Sequence, residues 1–286
     1  MKSSAILDSL MDMLPSIPAH HAPCLPIYAF LKQVARNEMQ QLFKDSPKGE
    51  LRISPFGEIV FPYHSMGSVN TLNLFDLDEL IIFSFYWSNR GRYKRVLDIG
   101  ANLGLHSVIL GKCGYEVRSY EPDPAHHEIL QGNLELNGIR GIETHNAAIS
   151  SKNGEMEFVR VLGNTTGSHL AGSKPNPYGS LERFPVKLEA FQPLMEWADL
   201  VKLDVEGHEK EILLNTNRSD WERVDALVEI QSVENARVVY DHMRSIGVGM
   251  FAQKKGWMHV SSADDMPTSY RDGTLFISLQ RESVWR

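Results

Sequence analysis

A glycine-containing turn joins a strand-like apolar run to a helix in residues 96–107, VLDIGANLGLHS. Such a turn can bind a small polar ligand, because backbone N–H groups at the helix start point at the ligand and glycine lets it approach closely. The spacing does not fit a dinucleotide, since Asn102 and Leu105 stand where the G-x-G-x-x-G pattern starting at Gly100 requires glycine. A Walker phosphate loop is excluded as well, because no Gly-Lys-Ser/Thr follows.

The observed frame, D-x-G-x-N-x-G, fits S-adenosylmethionine, which has one carboxylate and no phosphate. Asn102 adopts a left-handed backbone more readily than most residues and can therefore replace a glycine. Asp98, at the end of the predicted strand, is a candidate to bind the ammonium group of the methionine moiety. Glu121 ends the next predicted strand, where a doubly wound domain accepts hydrogen bonds from ribose hydroxyls, and Pro122 offers adenine a flat apolar surface.

A second polar segment, KLDVEGHE at residues 202–209, contains the candidate catalytic residues Asp204, Glu206 and His208. The two carboxylates are two positions apart on a predicted strand and share a face. That strand is expected beside the first strand, at the ligand crevice. Asp204 is a candidate for cofactor binding too, and Asp204 or His208 could remove a hydroxyl proton. The alternative is that Asp204 only orients the cofactor, while Glu206 and His208 cap the next helix.

A metal-assisted reaction is a further alternative. Asp204, Glu206 and Glu229 could form an oxygen site for Mg²⁺ or Ca²⁺ that acidifies an adjacent hydroxyl, but nothing in their spacing requires one. His20 and His21 lie in a proline-rich linker, where adjacent histidines are expected to be solvated rather than to ligate a metal. The sequence therefore favours a site without a metal.

The order of predicted elements indicates the fold. From residue 95 onward strand-like and helical runs alternate, as in βαβ units around a mostly parallel sheet, and this predicts a doubly wound α/β domain. Asn153-Gly154 predicts a hairpin turn. The segment 163–184 has no periodicity, so we expect it to be poorly ordered or to cover the crevice as a lid. This lid would carry His169, a third candidate base, and its second half would be stiffened by Pro175 and Pro177.

Four motifs in order and spacing resemble those of FkbM-type methyltransferases: VLDIGANLGLHS, YEPDPAHHEILQGNLELNG, NAAISSKNGEMEF and LVKLDVEGHEKEIL. The resemblance covers roughly residues 95–280. It implies a class I, S-adenosylmethionine-dependent enzyme with a seven-stranded, Rossmann-like sheet. It also implies methylation of a hydroxyl group on a sugar or another secondary-metabolite acceptor.

The resemblance assigns candidate cofactor contacts residue by residue. It implies that the first loop contacts the methionine end, that the second strand end contacts the ribose, and that a third segment lies near the adenine. The residues concerned are Asp98, Gly100, Ala101, Asn102 and Gly104 in the loop, Glu121 and Pro122 at the strand end, and Asn146 and Ala147 near the adenine.

The chain is expected to have two parts: an N-terminal accessory region of helices and a small hairpin, residues 1–94, and a cofactor-binding domain, residues 95–286. A helix near residues 3–14 has Ile6, Leu10 and Leu14 on one side. We expect this face to pack on its own domain or on a second copy, and the sequence slightly favours a homodimer.

Composition limits the partners. A net charge of −7 argues against a nucleic-acid surface, and no apolar run reaches the ~18 residues of a membrane helix, so a cytoplasmic protein is expected.

The leading hypothesis is an O-methyltransferase with a small-molecule or glycan acceptor. A cofactor-binding interaction protein without methyl-transfer activity is the alternative, and an NAD-dependent oxidoreductase is disfavoured by Asn102 and Leu105.

Overall fold

The N-terminal region combines three helices with a small sheet. The computed structural model describes residues 2–44, 46, 48–174 and 179–285. The elements of the region are β1 (Lys2–Ser3), α1 (Ala5–Met13), α2 (Pro26–Lys44), β2 (Glu50–Ile53), β3 (Gly57–Val60) and α3 (Leu77–Ser88). The sheet has the order β1-β2-β3. Ser4 and Asp76 begin α1 and α3, because each side chain accepts a hydrogen bond from a backbone N–H of the first turn.

The remaining elements form two sheets and five helices. The first part comprises β4 (Arg95–Ile99), α4 (Leu105–Lys112), β5 (Glu116–Tyr120), α5 (Pro124–Leu136), β6 (Glu143–His145), β7 (Ala148–Ser150), β8 (Gly154–Val161), β9 (His169–Leu170) and β10 (Leu181–Ala190). The second part comprises α6 (Phe191–Met195), β11 (Leu200–Leu203), α7 (Glu209–Leu213), β12 (Asp225–Val228), α8 (Val233–Ser245), β13 (Gly249–Ala252), β14 (Met258–His259) and β15 (Leu275–Ser278).

The large sheet has the strand order β14-β13-β15-β12-β11-β4-β5-β6. The strands from β12 to β6 pair in parallel, whereas β15 pairs antiparallel with both β12 and β13. The strand order reverses next to β4, as doubly wound sheets require at a ligand crevice. The predicted Rossmann-like α/β fold is therefore confirmed. The described chain adds an eighth strand to the seven expected, the two-residue β14 at the sheet edge.

A second, four-stranded sheet corrects the hairpin prediction. Its order is β7-β10-β8-β9, so β10 lies between the two strands that were expected to pair around Asn153-Gly154. β10 pairs in parallel with β7 and antiparallel with β8. The Asn153 side chain accepts a hydrogen bond from the Ala190 N–H (2.8 Å) instead of closing a hairpin turn. The predicted hairpin is wrong because a strand more distant in sequence supplies the pairing partner.

The N-terminal region shares one hydrophobic core with the large sheet. Phe83 and Phe85 on α3 belong to the same buried cluster as Leu110 on α4 and Phe276 on β15. None of the helices in the described ranges is both apolar and long enough to cross a membrane.

The apolar face of α1 packs within its own chain. Leu7, Leu10 and Leu14 are buried in the shared core, whereas Ile6 is 56% exposed and lies outside that face. The grouping of Ile6 with Leu10 and Leu14 is therefore wrong, and the face that suggested a homodimer is already covered.

His21 lies in the core, which overturns the expectation of a solvated linker histidine. It is 1% exposed and packs edge-on against Trp257 and Trp285. Its Nε2 is hydrogen-bonded to the Leu14 carbonyl oxygen (3.0 Å), and the Trp257 indole N–H donates to Nδ1 (2.9 Å). Burial lowers the pKa of His21 to about 4. The neutral ring therefore joins the N-terminal region to the segment after β13.

We predict that His21 makes the folded protein lose stability at mildly acidic pH. Above the ordinary histidine pKa of ~6.5 both states are neutral, and as the pH falls toward 4 only the unfolded state binds the proton. The free energy of unfolding should therefore fall by roughly 3 kcal/mol at most across this window. Urea unfolding at several pH values should show a shallower pH dependence for His21→Gln than for the wild type. The control His259→Gln, at an exposed position on β14, should keep the wild-type slope; equal slopes for both variants would contradict the assignment.

Candidate active site

The glycine turn packs directly against the end of the neighbouring strand β11. Gly100, Asn102 and Gly104 all have left-handed backbones, with φ of 76°, 52° and 83°. A Cβ at Gly100 would lie 1.7 Å from the Asp204 carbonyl oxygen, so no other residue fits without moving one of the two segments. The N–H groups of Gly100 and Ala101 both donate to the Tyr120 carbonyl oxygen (3.0 Å each). Backbone contacts therefore help to hold the ends of β4, β5 and β11 together.

A cleft of about 610 Å³ opens beside this turn, and we call it the first cleft. Its polar lining comes from the carboxyl ends of the parallel strands, and its apolar lining comes from β7 and the small second sheet. Lining residues include Gly100, Asn102, Glu121, Pro122, Ala147, Ile149, Phe158, His169, Leu170, Asp204 and Glu206. The lining of the first cleft therefore combines carboxyl, hydroxyl and apolar side chains.

Glu121 connects the second strand end to the glycine turn. Its carboxyl oxygens accept hydrogen bonds from the Asn102 and Asp123 N–H groups (2.8 Å each). The residue is 5% exposed, and burial raises the pKa of the Glu121 carboxyl to about 8 although the two backbone donors act in the opposite direction. Each oxygen has a second lone pair that can accept a hydroxyl donor. The carboxyl group thus fixes the turn and can still bind a ligand in the first cleft.

Two buried acceptor oxygens in the first cleft have no partner among the described residues. They are Asn102 Oδ1 and Asp204 Oδ1, which are themselves buried but belong to two residues that line the first cleft. A buried polar group without a hydrogen bond is costly, so unpaired oxygens in a cleft indicate a missing donor. Both oxygens are acceptors, and an ammonium group offers three N–H donors. This arrangement fits the amino acid end of S-adenosylmethionine.

Asp98 occupies a different place from the one expected. It is fully buried, its Oδ2 accepts the Ser107 hydroxyl hydrogen bond (2.6 Å), and it lies outside the lining of the first cleft. Lys202 Nζ lies 3.7 Å from Asp98 Oδ1 and 3.7 Å from Asp204 Oδ2. Burial lowers the pKa of Lys202, but the two carboxylates outweigh that effect and raise it to about 12. Asp98 therefore holds the turn and balances the lysine charge.

Three other candidate cofactor residues shape the backbone around the first cleft. The Asn146 side chain donates to the carbonyl oxygens of Glu121 and Pro122 (2.9 and 3.0 Å) and so fixes the chain after β5. Gly104 begins α4 in a left-handed conformation. Ala101 lies in the middle of the turn and lines a smaller neighbouring cleft. None of these three lines the first cleft.

The structure separates the candidate catalytic residues. Glu206 lines the first cleft, forms an ion pair with Lys174, and has its pKa raised to about 7 by burial and by the nearby Asp204 charge. His208 is 5% exposed and lies outside the lining of that cleft. Its ring nitrogens are hydrogen-bonded to the hydroxyls of Ser150 (2.9 Å) and Ser173 (3.1 Å). Asp204 and Glu206 thus meet at the cleft, whereas His208 does not join them.

The wall formed by the second sheet was missed by the sequence analysis. Phe158 and Leu170 contribute apolar surface, and residues 165–170 form a 3₁₀ turn and β9 along the first cleft. His169 is 2% exposed, its Nδ1 is hydrogen-bonded to the Gly167 carbonyl oxygen (3.0 Å), and burial lowers its pKa. The strand-like run EMEFVRV was the available signal for this sheet.

The segment predicted as a lid is thus partly regular structure. β10 occupies its last residues, and Pro175 and Pro177 lie outside the described residues. The regular structure argues against a poorly ordered segment, whereas residues 165–170 with His169 line the first cleft, and their action as a lid stays a prediction.

A second cleft, of about 450 Å³, lies on the other side of Asp204. It is bounded by α3, α4 and the ends of β11 and β12. Its lining includes Asp78, Glu79, Ile82, His106, Lys202, Asp204, Leu227, Glu229, Tyr270 and Thr274. No group of three or more histidine, cysteine or acidic residues in the described ranges could hold a metal ion. The described residues therefore give no support to the proposed oxygen site of Asp204, Glu206 and Glu229.

Comparisons with known proteins agree with these motifs. A family model described as the Methyltransferase FkbM domain matches residues 98–246, more than half of the chain. The chain is 28% identical over 167 residues to "Methyltransferase sdnD" of Sordaria araneosa, covering 46% of this chain and 64% of that protein. It is 23% identical over 157 residues to "Methyltransferase 1" of Beauveria bassiana (strain ARSEF 2860), covering 46% and 62%. The chain thus spans less than two thirds of the length of these relatives.

The matches among solved structures are more distant. A SAM-dependent methyltransferase from Agrobacterium tumefaciens is 10% identical with a TM-score of 0.38, covering 70% of this chain and 61% of that chain. A precorrin-6y C5,15-methyltransferase from Geobacter metallireducens GS-15 is 12% identical with a TM-score of 0.37, covering 67% and 82%.

We predict that, at a pH above the Glu121 pKa of about 8 where its carboxyl is charged, Glu121→Ala weakens binding of S-adenosylhomocysteine by ~1.5–3 kcal/mol, the range for hydrogen bonds to a charged group. The reason is the position of the carboxyl group at the first cleft, with lone pairs free for ribose hydroxyls. Calorimetric titration measures the change. Glu116→Ala, which removes an exposed carboxylate from the other end of the same strand, is the control and should leave affinity unchanged. If a folded Glu121→Ala variant binds S-adenosylhomocysteine with unchanged affinity, Glu121 does not accept hydrogen bonds from the ribose.

Gly100→Ala should abolish measurable S-adenosylhomocysteine binding, because its Cβ collides with the Asp204 backbone and separates β4 from β11. Gly114→Ala is the matched control: it also has a positive φ of 85°, but nothing lies within 4 Å of the added Cβ. Both variants place a Cβ on a backbone with positive φ, and the collision occurs only at Gly100. Equal affinities in the two folded variants would show that the close approach is dispensable.

Proposed function

This chain belongs to the FkbM methyltransferase family, and on that premise we propose that it transfers a methyl group from S-adenosylmethionine to a hydroxyl group. The observation that carries the proposal is the pair of unpaired acceptor oxygens, Asn102 Oδ1 and Asp204 Oδ1, in a cleft that also contains Glu121. An ammonium donor, a hydroxylated ring and a flat apolar group would each meet suitable partners there.

The residues of the first cleft fit the three parts of the cofactor. Asn102 and Asp204 would bind the amino acid end, and Glu121 would accept hydrogen bonds from the ribose. Phe158 and Leu170 offer apolar contacts for the adenine. When bound, S-adenosylmethionine supplies a methyl group that is activated by a positively charged sulfur. The chain contributes by binding, orienting and shielding that group from water.

The charge of the cleft also suits a cationic ligand. Glu206 forms an ion pair with Lys174, whereas Asp204 shares Lys202 with Asp98. One lysine between two carboxylates leaves a net negative charge at the strand ends. Opposite charge nearby stabilises a cation more in a partly buried cleft than in water. This supports S-adenosylmethionine over NAD, whose pyrophosphate is anionic.

We propose a small polar acceptor with a reactive hydroxyl, on a sugar or another secondary metabolite. The second cleft supports this choice, because it meets the first cleft at Asp204 and its lining combines hydrogen-bonding and apolar groups.

Calorimetric titration with S-adenosylmethionine, S-adenosylhomocysteine and NAD tests the cofactor. We expect the first two to bind and NAD not to bind, because the turn lacks the glycine that makes room for a pyrophosphate. NAD binding, or failure of both sulfur ligands to bind, would contradict the proposal. Incubation with methyl-labelled S-adenosylmethionine and hydroxylated acceptors should then give labelled ethers. Cofactor binding without labelled product would favour an interaction protein that lacks transfer activity.

A further inference from the structure

The second cleft combines charged groups with an exposed aromatic ring. Tyr270 is 59% exposed and lines the cleft together with the apolar side chains of Ile82 and Leu227. Asp78 and Glu79 line it from α3, which belongs to the N-terminal region. A flat ring beside several hydrogen-bond acceptors can bind a molecule with one apolar face and many hydroxyl groups.

Most charged groups of the second cleft are already engaged by other side chains. Asp78 pairs with Lys32 (2.7 Å) and Glu79 contacts His106 (2.8 Å). His106 has no free nitrogen for a ligand, because its Nδ1 is hydrogen-bonded to the Tyr86 hydroxyl (2.9 Å). These groups are committed to holding α3, α4 and the sheet together, and they are poorly placed to exchange a proton with a ligand.

Glu229 differs from these groups. It directly follows β12, and its N–H donates to the Leu203 carbonyl oxygen (2.9 Å), which aligns it beside Asp204 at the strand ends. Its carboxyl group accepts a hydrogen bond from the neutral Gln231 amide and forms no ion pair within the described part of the chain. It is therefore a carboxyl group of this cleft that is bonded to no cation.

The groups around Glu229 also raise the pKa of its carboxyl group, which makes its carboxylate a stronger base. Burial and the negative charges of Asp204, Glu206 and Glu79 raise its pKa well above the ordinary value, and Lys202 only partly opposes them. A carboxylate with a raised pKa accepts a proton more readily, and catalytic bases work best when their pKa lies near the working pH.

We propose that the second cleft binds the acceptor as a pyranoside ring stacked on Tyr270, and that Glu229 accepts the proton of the reacting hydroxyl. The inference rests on the proposed function. The hydroxyl O–H bond breaks and its proton passes to a Glu229 oxygen. The hydroxyl oxygen forms a bond to the methyl carbon, and the electron pair of the carbon–sulfur bond stays on sulfur. Charge balances, because one positive sulfonium and one carboxylate become a neutral thioether and a carboxylic acid.

A binding experiment tests the cleft without requiring turnover. The probes are methyl α-D-glucopyranoside and methyl α-L-rhamnopyranoside, added to protein saturated with S-adenosylhomocysteine and followed by saturation-transfer NMR. We expect at least one probe to bind the wild type and to lose more than about tenfold in affinity in Tyr270→Ala. Tyr63→Ala removes a similarly exposed ring outside the cleft and should bind as the wild type does. Absence of pyranoside binding, or equal affinities in both variants, overturns the assignment.

A kinetic experiment tests Glu229 with the pyranoside that binds. Glu229→Gln should lower the single-turnover methylation rate by about 10²–10⁴-fold, with S-adenosylhomocysteine and pyranoside affinities within about threefold of wild type. Glu229→Asp keeps the carboxylate and should recover part of the rate, which separates loss of the base from loss of folding. Glu234→Gln, at an exposed carboxylate on α8, is the control. An undiminished rate in Glu229→Gln overturns the role of Glu229.

These results also separate this inference from the proposed function. Failure of S-adenosylhomocysteine to bind, or pyranoside binding without any methylation by the wild type, would count against the proposed function. Methylation with normal cofactor binding but with the acceptor outside the second cleft would count against the inference alone.

Discussion

The close approach of Gly100 to the Asp204 backbone is the contact on which the site depends. With no side chain at Gly100, the turn after β4 can lie directly against the end of β11. The same turn is joined to β5 by Glu121, which accepts the Asn102 N–H hydrogen bond. Three adjacent strand ends are thereby fixed without a disulfide or a metal. The acceptor oxygens at Asn102 and Asp204 are preorganised because the backbone that carries them has no freedom to spread apart.

Lys202 is the electrostatic counterpart of that contact. Its ammonium group is largely buried, donates to the Gly100 carbonyl oxygen (3.0 Å) and lies between Asp98 and Asp204. Burying isolated charges is unfavourable, and a buried pair that loses one partner is strongly destabilised. Lys202 therefore lets two carboxylates remain close to the crevice. Asp204 lines both clefts, so in our proposal it lies between the cofactor and the acceptor.

The sequence predicted the large sheet and the glycine turn well, because both rest on local patterns. Alternating strands and helices impose the parallel order, and the spacing from Asp98 to Gly104 marks the turn. The roles of individual side chains were harder to predict. Asp98 looks like a ligand contact in sequence, yet Ser107 on α4 and Lys202 on β11 engage it in the fold. His208 lies in the polar segment after β11, which the sequence analysis selected as catalytic, but its hydrogen bonds to Ser150 and Ser173 hold it outside the first cleft.

Long-range pairing explains the other differences. The second sheet, which supplies Phe158 and Leu170 to the first cleft, depends on β10 inserting between β7 and β8, and no local signal indicates that partner. The second cleft could not be predicted either, because it requires α3 of the N-terminal region to pack against the ends of β11 and β12. Residues such as Tyr270 and Glu229 become neighbours only through this packing. Sequence periodicity defines elements, but it does not define how distant elements meet.

The central claim is that a cofactor cleft and an acceptor cleft meet at Asp204. A crystal structure of the protein with S-adenosylhomocysteine tests it most directly. We predict that the amino acid end contacts Asn102 and Asp204, that the ribose contacts Glu121, and that the adenine lies against Phe158 and Leu170, leaving the second cleft free. A ligand bound in the second cleft, or one whose ribose does not contact Glu121, would contradict the claim.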